Sequence, residues 1–352
     1  MPNPLTDLLG ISAPIVLGPF GGMSSIALTA GVSEAGGLGS YGLYGYSPER
    51  IAETAAALRA ATDRPFALNL WVPVGDEIGP GEVDVAAALE VVAPLYAELG
   101  LPLPEPPDSR SPGPSSGFEA QLQAVLDARP AVASFVYGIP DAAVIRAAHD
   151  RGIRVVGTAT TVAEAVRLAA GGADAVVATG LEAGGHRVSF DRAAEDSLIG
   201  GLALIPQVVD AVEVPVIAAG GIADRRGVAA AFALGAGGVQ VGTAFLRTRQ
   251  SAATDAHRHA IDEVAGTGTV LTRAITGRLA RGIPNRLIRL LEEAGSALPF
   301  PAQSWLIGPI RAEALRRGIG DLQSLWAGQA APLARHDDVD AVFAELAAGV
   351  PG

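Results

Sequence analysis

Residues Val214-Pro215-Val216-Ile217-Ala218-Ala219-Gly220-Gly221-Ile222 form a short apolar run that stops on a glycine pair. A second run of the same design, Gly238-Val239-Gln240-Val241-Gly242-Thr243, lies downstream. Between them, Arg226–Leu234 has a helical pattern that ends at Gly235. Short continuous apolar runs bounded by glycine read as strands of a parallel sheet, buried on both faces. Strand, helix and strand in this order make one β/α unit.

The same unit repeats toward the N-terminus. Further strands are expected at Ile15–Gly18, Leu38–Tyr41, Phe66–Asn69, Val132–Tyr137, Arg154–Thr158 and Ala175–Ala178, which join Val216–Ala219 and Gly238–Val241. Helical patterns occupy Ile26–Ala35, Pro48–Ala60, Ala142–Arg151, Val162–Ala170 and Leu202–Ala211. Ser47-Pro48, Pro140-Asp141 and Thr161 supply start signals, and Gly36-Gly37, Gly152 and Gly171-Gly172 supply stops. Eight units predict an α/β fold of the TIM (β/α)8 barrel type. The unit that begins at Phe66 is swollen, and its Pro/Gly/Ser-rich stretch Leu101–Gly117 is expected to be an exposed, mobile loop. After the eighth strand the repeat stops. Residues 252–326 are expected to form a mostly helical insert or lid over the C-terminal mouth, with 1–251 and 327–352 forming the barrel.

Composition narrows the chemistry. The 352 residues include no cysteine, which excludes disulfides, iron–sulfur clusters and thiol nucleophiles. All 25 basic residues are arginine, so there is no Schiff-base or Walker lysine. A net charge of −12 without a basic tract argues against nucleic acid and anionic membranes as partners. The positive mean hydropathy, +0.34, comes from Ala, Val and Gly rather than from a run long enough to span a bilayer. Met1–Asp7 has neither the basic region nor the apolar stretch of a secretory signal, so a cytoplasmic location is expected.

In such barrels the loops after strands seven and eight commonly bind phosphate. Here Gly220, Gly221, Gly242 and Thr243 occupy those loops, and their backbone N–H groups suit a chain without lysine. Gly180-Leu181-Glu182-Ala183-Gly184-Gly185-His186-Arg187 follows strand six and places His186 near the mouth. Its ordinary pKa of about 6.5 suits proton abstraction. Glu182 and Arg187 fit a salt-bridged or solvated role as well as a chemical one. Gly18–Ser24, with Gly21, Gly22 and Met23, can pass beneath a flat ligand. Asn69 either hydrogen-bonds a heterocycle or simply ends its strand. His149 and His336 read as surface residues, and His257 and His259 lack helical zinc spacing. No metal site is expected.

These segments resemble the nitronate monooxygenases, formerly called 2-nitropropane dioxygenases, over nearly the whole chain. The resemblance rests on Gly21–Ser24, Ala35–Gly39, Asn69–Trp71, Ser134–Gly138, Glu182–Arg187, Ala219–Ile222 and Gly238–Thr243. Thr276–Gly282 and Leu325–Ala330 resemble the bacterial class I subgroup. The resemblance implies FMN, with its phosphate on Gly184, Gly185, Gly220, Gly221, Gly242 and Thr243 and with Gln240 beside it. It implies that Gly22, Met23 and Asn69 line the flavin ring, with Gly21 in the cofactor-binding set, and that His186 is the catalytic base. The implied reaction oxidises an alkyl nitronate, such as propionate 3-nitronate, with dioxygen to a carbonyl compound and nitrite, without NAD(P)H. A monomer or homodimer is expected. Three positions depart from the family pattern. Thr179, counted with the cofactor-binding set, stands where Gln or Glu is usual. Val136 replaces a frequent His, and Phe300 a Tyr. Two other readings stay open: an NAD(P)H-dependent flavin reductase of enoyl-thioester or quinone type, and a flavin-free binding scaffold on the same barrel.

Overall fold

The computed structural model describes residues 3–107, 117–264 and 268–352. Strands β1 (Ile15–Leu17), β2 (Gly39–Gly42), β3 (Phe66–Trp71), β4 (Val132–Val136), β5 (Arg154–Ala159) and β6 (Ala175–Thr179) are parallel to one another and to β8 (Val216–Ala219) and β9 (Gly238–Val241). Their order is β1-β9-β8-β6-β5-β4-β3-β2. The two ends of this sheet meet at a parallel bridge between Val16 and Leu38, where Leu17 N–H donates to Leu38 O over 2.9 Å. The result is a nearly closed eight-stranded barrel, as the repeat predicts. All eight expected strands are present: Val216–Ala219 and Gly238–Val241 as expected, the other six with an end shifted by one or two residues.

The strand period of two sorts each run between two environments. On β1, Val16 joins the interior cluster with Leu38, Ala67, Val132, Val156, Val177 and Ile217. Its neighbours Ile15 and Leu17 belong to the shell under the helices. On β3, Ala67 points inward while Leu68 and Leu70 pack outward. Both sets are apolar, which explains why the runs read as continuous. Helix α1 (Pro4–Leu9), which the repeat does not announce, adds Leu5 and Leu9 to the interior cluster.

Around the barrel lie α2 (Ile26–Glu34), α3 (Pro48–Ala61), α6 (Ala142–His149), α7 (Val162–Ala170), α8 (Gly201–Ala211) and α9 (Arg225–Ala233). Ser47 Oγ and Thr161 Oγ1 accept from Arg50 N and Glu164 N, so both cap as expected. Asp141 takes the N-cap position of α6 without a side-chain bond.

A second core stands apart from the barrel. It joins α4 (Ala86–Leu99) to α12 (Arg286–Ala294) and α13 (Ala302–Arg317) through Val92, Leu95, Tyr96, Leu287, Leu291 and Leu306. The swollen unit after β3 thus packs on the segment after β9, a pairing over some two hundred residues that no local pattern announces. The swollen unit also holds α5 (Phe118–Ala128), whose Leu122, Val125 and Leu126 pack with the outer residues of β3 and β4. The expected loop Leu101–Gly117 falls largely on 108–116, outside the described residues. The segment after β9 is not helical alone. Beyond α10 (Thr243–Leu246) and α11 (Asp255–Glu263), it supplies β10 (Val270–Thr272) and β11 (Ala280–Gly282). These strands form a small antiparallel sheet with β7 (Gly185–His186), in the order β10-β11-β7. Helix α14 (Val339–Ala347) closes the chain against α2 and α9, with Val339, Phe343 and Leu346 in the outer core.

Candidate active site

The inward parity of the strands continues to their C-terminal ends, but the residues there change character. Two positions above Ala67 stands Asn69, and two above that Trp71. Two above Val156 stands Thr158, and two above Val177 stands Thr179. These side chains, with Ala219 and Gln240, line a cavity of about 440 Å3 at the barrel mouth. Every residue nominated for the cofactor or for the base lines it. His186, Gly184 and Gly185 come from one loop, Gly220 and Gly221 from the next, and Gly242 and Thr243 from the last. Gly21, Gly22 and Met23 form the β1 side, and Asn69, Thr179 and Gln240 the barrel top.

The glycines form a backbone cradle. Gly220 and Gly221 have φ of +93° and +73°, which other residues rarely adopt. Among the described residues, the N–H groups of Gly220, Gly221 and Gly242 have no acceptor within the protein. Gly184 is required by contact: a Cβ there would lie 2.6 Å from Ala327 C and Gly328 N. That approach lets Gln329 N donate to Glu182 O over 2.9 Å, and Gly328 N to Thr243 Oγ1 over 2.9 Å. The Thr243 hydroxyl accepts this bond and keeps its own proton for a ligand.

Asn69 is an interior strand residue, 3% exposed, rather than a strand terminator. Its Nδ2 donates to Ser134 O and Oγ at 3.2 and 3.0 Å, which leaves Oδ1 to accept from a ligand. Glu182 and Arg187, which flank the His loop, are structural. Both Glu182 carboxylate oxygens accept from Gly201 N, at the start of α8. Arg187, 5% exposed, donates to Thr179 O, Thr160 O and the Ser197 carbonyl. Fully buried Glu164 accepts from Thr160 N, Phe190 N and Ser189 Oγ, and so holds the far side of the same loop.

His186 is fixed rather than mobile. β7 pairs it with Ala280, and its Nε2 lies 2.9 Å from Thr276 Oγ1. The Trp71 ring meets it edge-on with centroids 4.8 Å apart, and Trp326 stands at 5.5 Å. Burial, then the Arg278 and Arg311 charges, lower its pKa to about 3. The ring is therefore neutral at physiological pH and a much weaker base than an ordinary imidazole. Arg278 stacks on Tyr137 and Phe300 at 4.5 and 4.3 Å and pairs with Asp76 and Glu77.

Several lining residues have no signal in a barrel repeat: Tyr44, Thr276, Ser304, Arg311 and Trp326. Trp71 did have one, since it shares the inward parity of Asn69. The other histidines lie elsewhere. His149 pairs with Asp174 at 2.9 Å, and His259 with Glu263 at 3.2 Å. His336 is exposed. His257 is buried and bonds Trp326 O at 2.9 Å, a role its spacing does not reveal. No cluster of three or more His, Asp or Glu that could hold a metal occurs among the described residues. Nor is any helix among them long and apolar enough to cross a membrane.

The nitronate monooxygenase family model matches residues 2–349. The chain belongs to the nitronate monooxygenase family. It is therefore of an enzymatic, oxidoreductase family. Within that family, a nitronate monooxygenase of Pseudomonas aeruginosa is 41% identical over 344 residues, 95% of each chain. A probable nitronate monooxygenase of Staphylococcus saprophyticus is 38% identical over 94% of this chain and 93% of its own. Among solved structures, nitroalkane oxidase from Streptomyces ansochromogenes superposes with a TM-score of 0.88 at 38% identity, covering 98% of this chain and 96% of that one. FabK from Thermotoga maritima superposes at 0.76 with 28% identity, covering 98% and 95%.

The neutral histidines make stability pH-dependent. His257 is likewise lowered, to about 4, by burial, against its bond to the Trp326 carbonyl. Unfolded, both rings protonate near 6.5. The unfolded chain thus binds more protons in acid, and stability falls as pH drops below about 6.5 toward the folded values. Urea unfolding of the apoprotein at pH 7 and pH 5 should show this loss. In His186→Asn the loss should shrink by up to one proton's worth of slope. An unchanged slope would mean that the ring is not held neutral.

Proposed function

We propose that the chain binds FMN at the barrel mouth and oxidises an alkyl nitronate with dioxygen to a carbonyl compound and nitrite, without NAD(P)H. The observation that carries this reading is the cavity itself. An acceptor-free N–H cradle at Gly220, Gly221 and Gly242 and a neutral histidine in an aromatic wall share one 440 Å3 space. The cradle fits a phosphate held without lysine. Thr243 adds a hydroxyl, and Gly184, Gly185 and Gln240 stand beside it. Gly21, Gly22 and Met23 leave a low floor for the flat ring, with Asn69 Oδ1 and Thr179 at its edge. When bound, FMN supplies electron acceptance from the nitronate and delivery to dioxygen.

The chain's own residues then bind and orient. Tyr44, Trp71, Phe300 and Trp326 wall the site and exclude water. Residues 252–326 act as a lid, since Thr276, Phe300, Ser304, Arg311 and Trp326 all reach the cavity from them. The positive charges of Arg278 and Arg311 favour an anionic substrate, and a nitronate is already an anion. His186 accepts the α-proton when the substrate arrives as a neutral nitroalkane. The same charges that favour the nitronate weaken that base, so the preformed nitronate is the better substrate. Departures at Val136 and Phe300 alter the substrate wall and leave the cradle intact. The nicotinamide-dependent reading predicts a different reductant.

Anaerobic mixing separates the two readings. Propionate 3-nitronate should bleach the flavin band of the purified protein, and NADH or NADPH should not. Bleaching by nicotinamide alone would favour the reductase, and a protein that takes up no FMN would sink both. His186→Asn should lower turnover of a neutral nitroalkane far more than turnover of its nitronate; equal losses would remove the base role. Gly242→Glu tests the cradle. A Cβ there meets only Phe20, at 3.5 Å, so the fold should survive. The new carboxylate would repel phosphate, and flavin retention should be lost. Full flavin in that variant would remove Gly242 from the site.

A further inference from the structure

The Thr276 hydroxyl meets three polar groups. Its Oγ1 lies 2.9 Å from His186 Nε2, 3.3 Å from Arg278 N and 3.3 Å from Arg278 O. A hydroxyl has one proton to give and two lone pairs to receive with. The three contacts use that whole capacity, and two of them have a fixed direction. The Arg278 amide can only donate, and the Arg278 carbonyl can only accept. Among the described residues that carbonyl has no other donor, and Arg278 is 8% exposed, so it depends on this one. The hydroxyl proton therefore goes to Arg278 O, and one lone pair takes Arg278 N–H. Only a lone pair is left for the histidine. An imidazole in its base form carries a single N–H, which must then sit on Nε2. The other ring nitrogen, Nδ1, keeps its lone pair. Among the described residues it has no hydrogen-bond partner, and it is not sealed from the cavity that the ring lines.

The local frame holds this arrangement. Thr276 and Gly277 lie in the turn between β10 and β11. Gly277 N donates to Arg273 O over 2.8 Å, and Arg273 Nη1 donates to Gly277 O over 2.7 Å. Gly277 has φ of +87°, and a Cβ there would lie 2.5 Å from Leu298 O and Phe300 N. The turn is thus pressed against the segment that leads into α13. On the other side, Ala280 pairs with His186, and Arg187 N donates to Leu279 O over 2.8 Å. Trp71 and Trp326 flank the ring. A half-turn of the ring would set a carbon against the hydroxyl and lose the bond.

We propose that Thr276 is a positioning residue: it fixes His186 in the tautomer with the proton on Nε2, so that Nδ1 is the atom that accepts the α-proton of a neutral nitroalkane. In that step the α C–H bond breaks and an N–H bond forms at Nδ1. The released electron pair moves onto the nitro group and gives the nitronate. The Nε2–H bond to Thr276 stays in place and steadies the imidazolium. This inference rests on the base role proposed for His186 and adds the accepting atom and the residue that selects it.

The test uses flavin-loaded enzyme with histidine labelled at its ring nitrogens. Nitrogen–proton correlation spectra distinguish the two neutral tautomers, and His186→Asn assigns the signal. His257 is an internal standard, because its Nε2 faces the Trp326 carbonyl at 2.9 Å and must carry the proton. At neutral pH the wild type should show His186 protonated at Nε2, with that proton slow to exchange with water. Thr276→Val should lose the slow exchange, and Thr276→Ser should keep it. In turnover, Thr276→Val should lower kcat for nitroethane by about 10- to 100-fold with KM little changed, part of what a well-placed base supplies. Ethyl nitronate, whose α-proton is already gone, should lose far less. Thr276→Ser should recover most of the loss.

A wild-type ring protonated at Nδ1 would overturn the proposal, whatever becomes of the valine variant. Equal losses on nitroethane and its nitronate would also overturn it. A ring protonated at Nε2 and held by Thr276, in an enzyme whose His186→Asn variant converts nitroethane at the wild-type rate, would keep the tautomer and sink the base role instead.

Discussion

The structure depends on the parity of eight short strands. Each strand sends alternate residues into the barrel, and the eight are held in register by parallel pairing. Low in the barrel the inward residues are Val16, Leu38, Val132, Val156 and Ile217, and they fill the interior. One step higher on the same faces they become Asn69, Thr158, Thr179 and Gln240, and the interior opens. A slip of one residue on any strand would exchange a cavity residue for one from the outer shell. Stability and site are thus set by a single alternation.

The cavity is completed by close backbone contacts that only glycine permits. Gly184 and Gly328 let the loop after β6 lie against the segment before α14, and Gly328 N donates to the Thr243 hydroxyl. The loop's other side is clamped by Glu164 and Arg187, two buried charged residues fully engaged with backbone and hydroxyl groups. Preorganisation of this kind matters for a cradle made of N–H groups, because a loose loop would bond to itself or to water instead.

Electrostatics divide the cavity. The cradle end offers backbone dipoles and a hydroxyl. The histidine loop adds a neutral imidazole in the field of two arginines; Arg278 pairs with acids, and Arg311 has no ion pair among the described residues. Burial, with those charges, depresses His186 and keeps its ring neutral. On the proposed reading, such an environment favours a substrate that brings its charge with it.

The barrel was legible in the sequence because each strand–helix unit is a local pattern: an apolar run, a glycine stop, a capped amphipathic helix. The same locality exposed the glycine pairs and His186, which sit where a barrel keeps its chemistry. Trp71 was readable too, by the parity that places Asn69. Other features required the tertiary structure. The packing of α4 on α12 and α13 joins segments far apart in the chain, and no short-range period encodes such a contact. The three-stranded sheet that fixes His186 to Thr276 depends on strands of two or three residues, too short to show alternation. The depressed His186, and an Arg311 whose Nε has no partner among the described residues, are properties of burial and of charges brought from distant elements. Sequence alone therefore determined the repeating frame and the cradle, whose physics is local. Tertiary structure decided the substrate wall and its charge, because those arise only where remote segments meet.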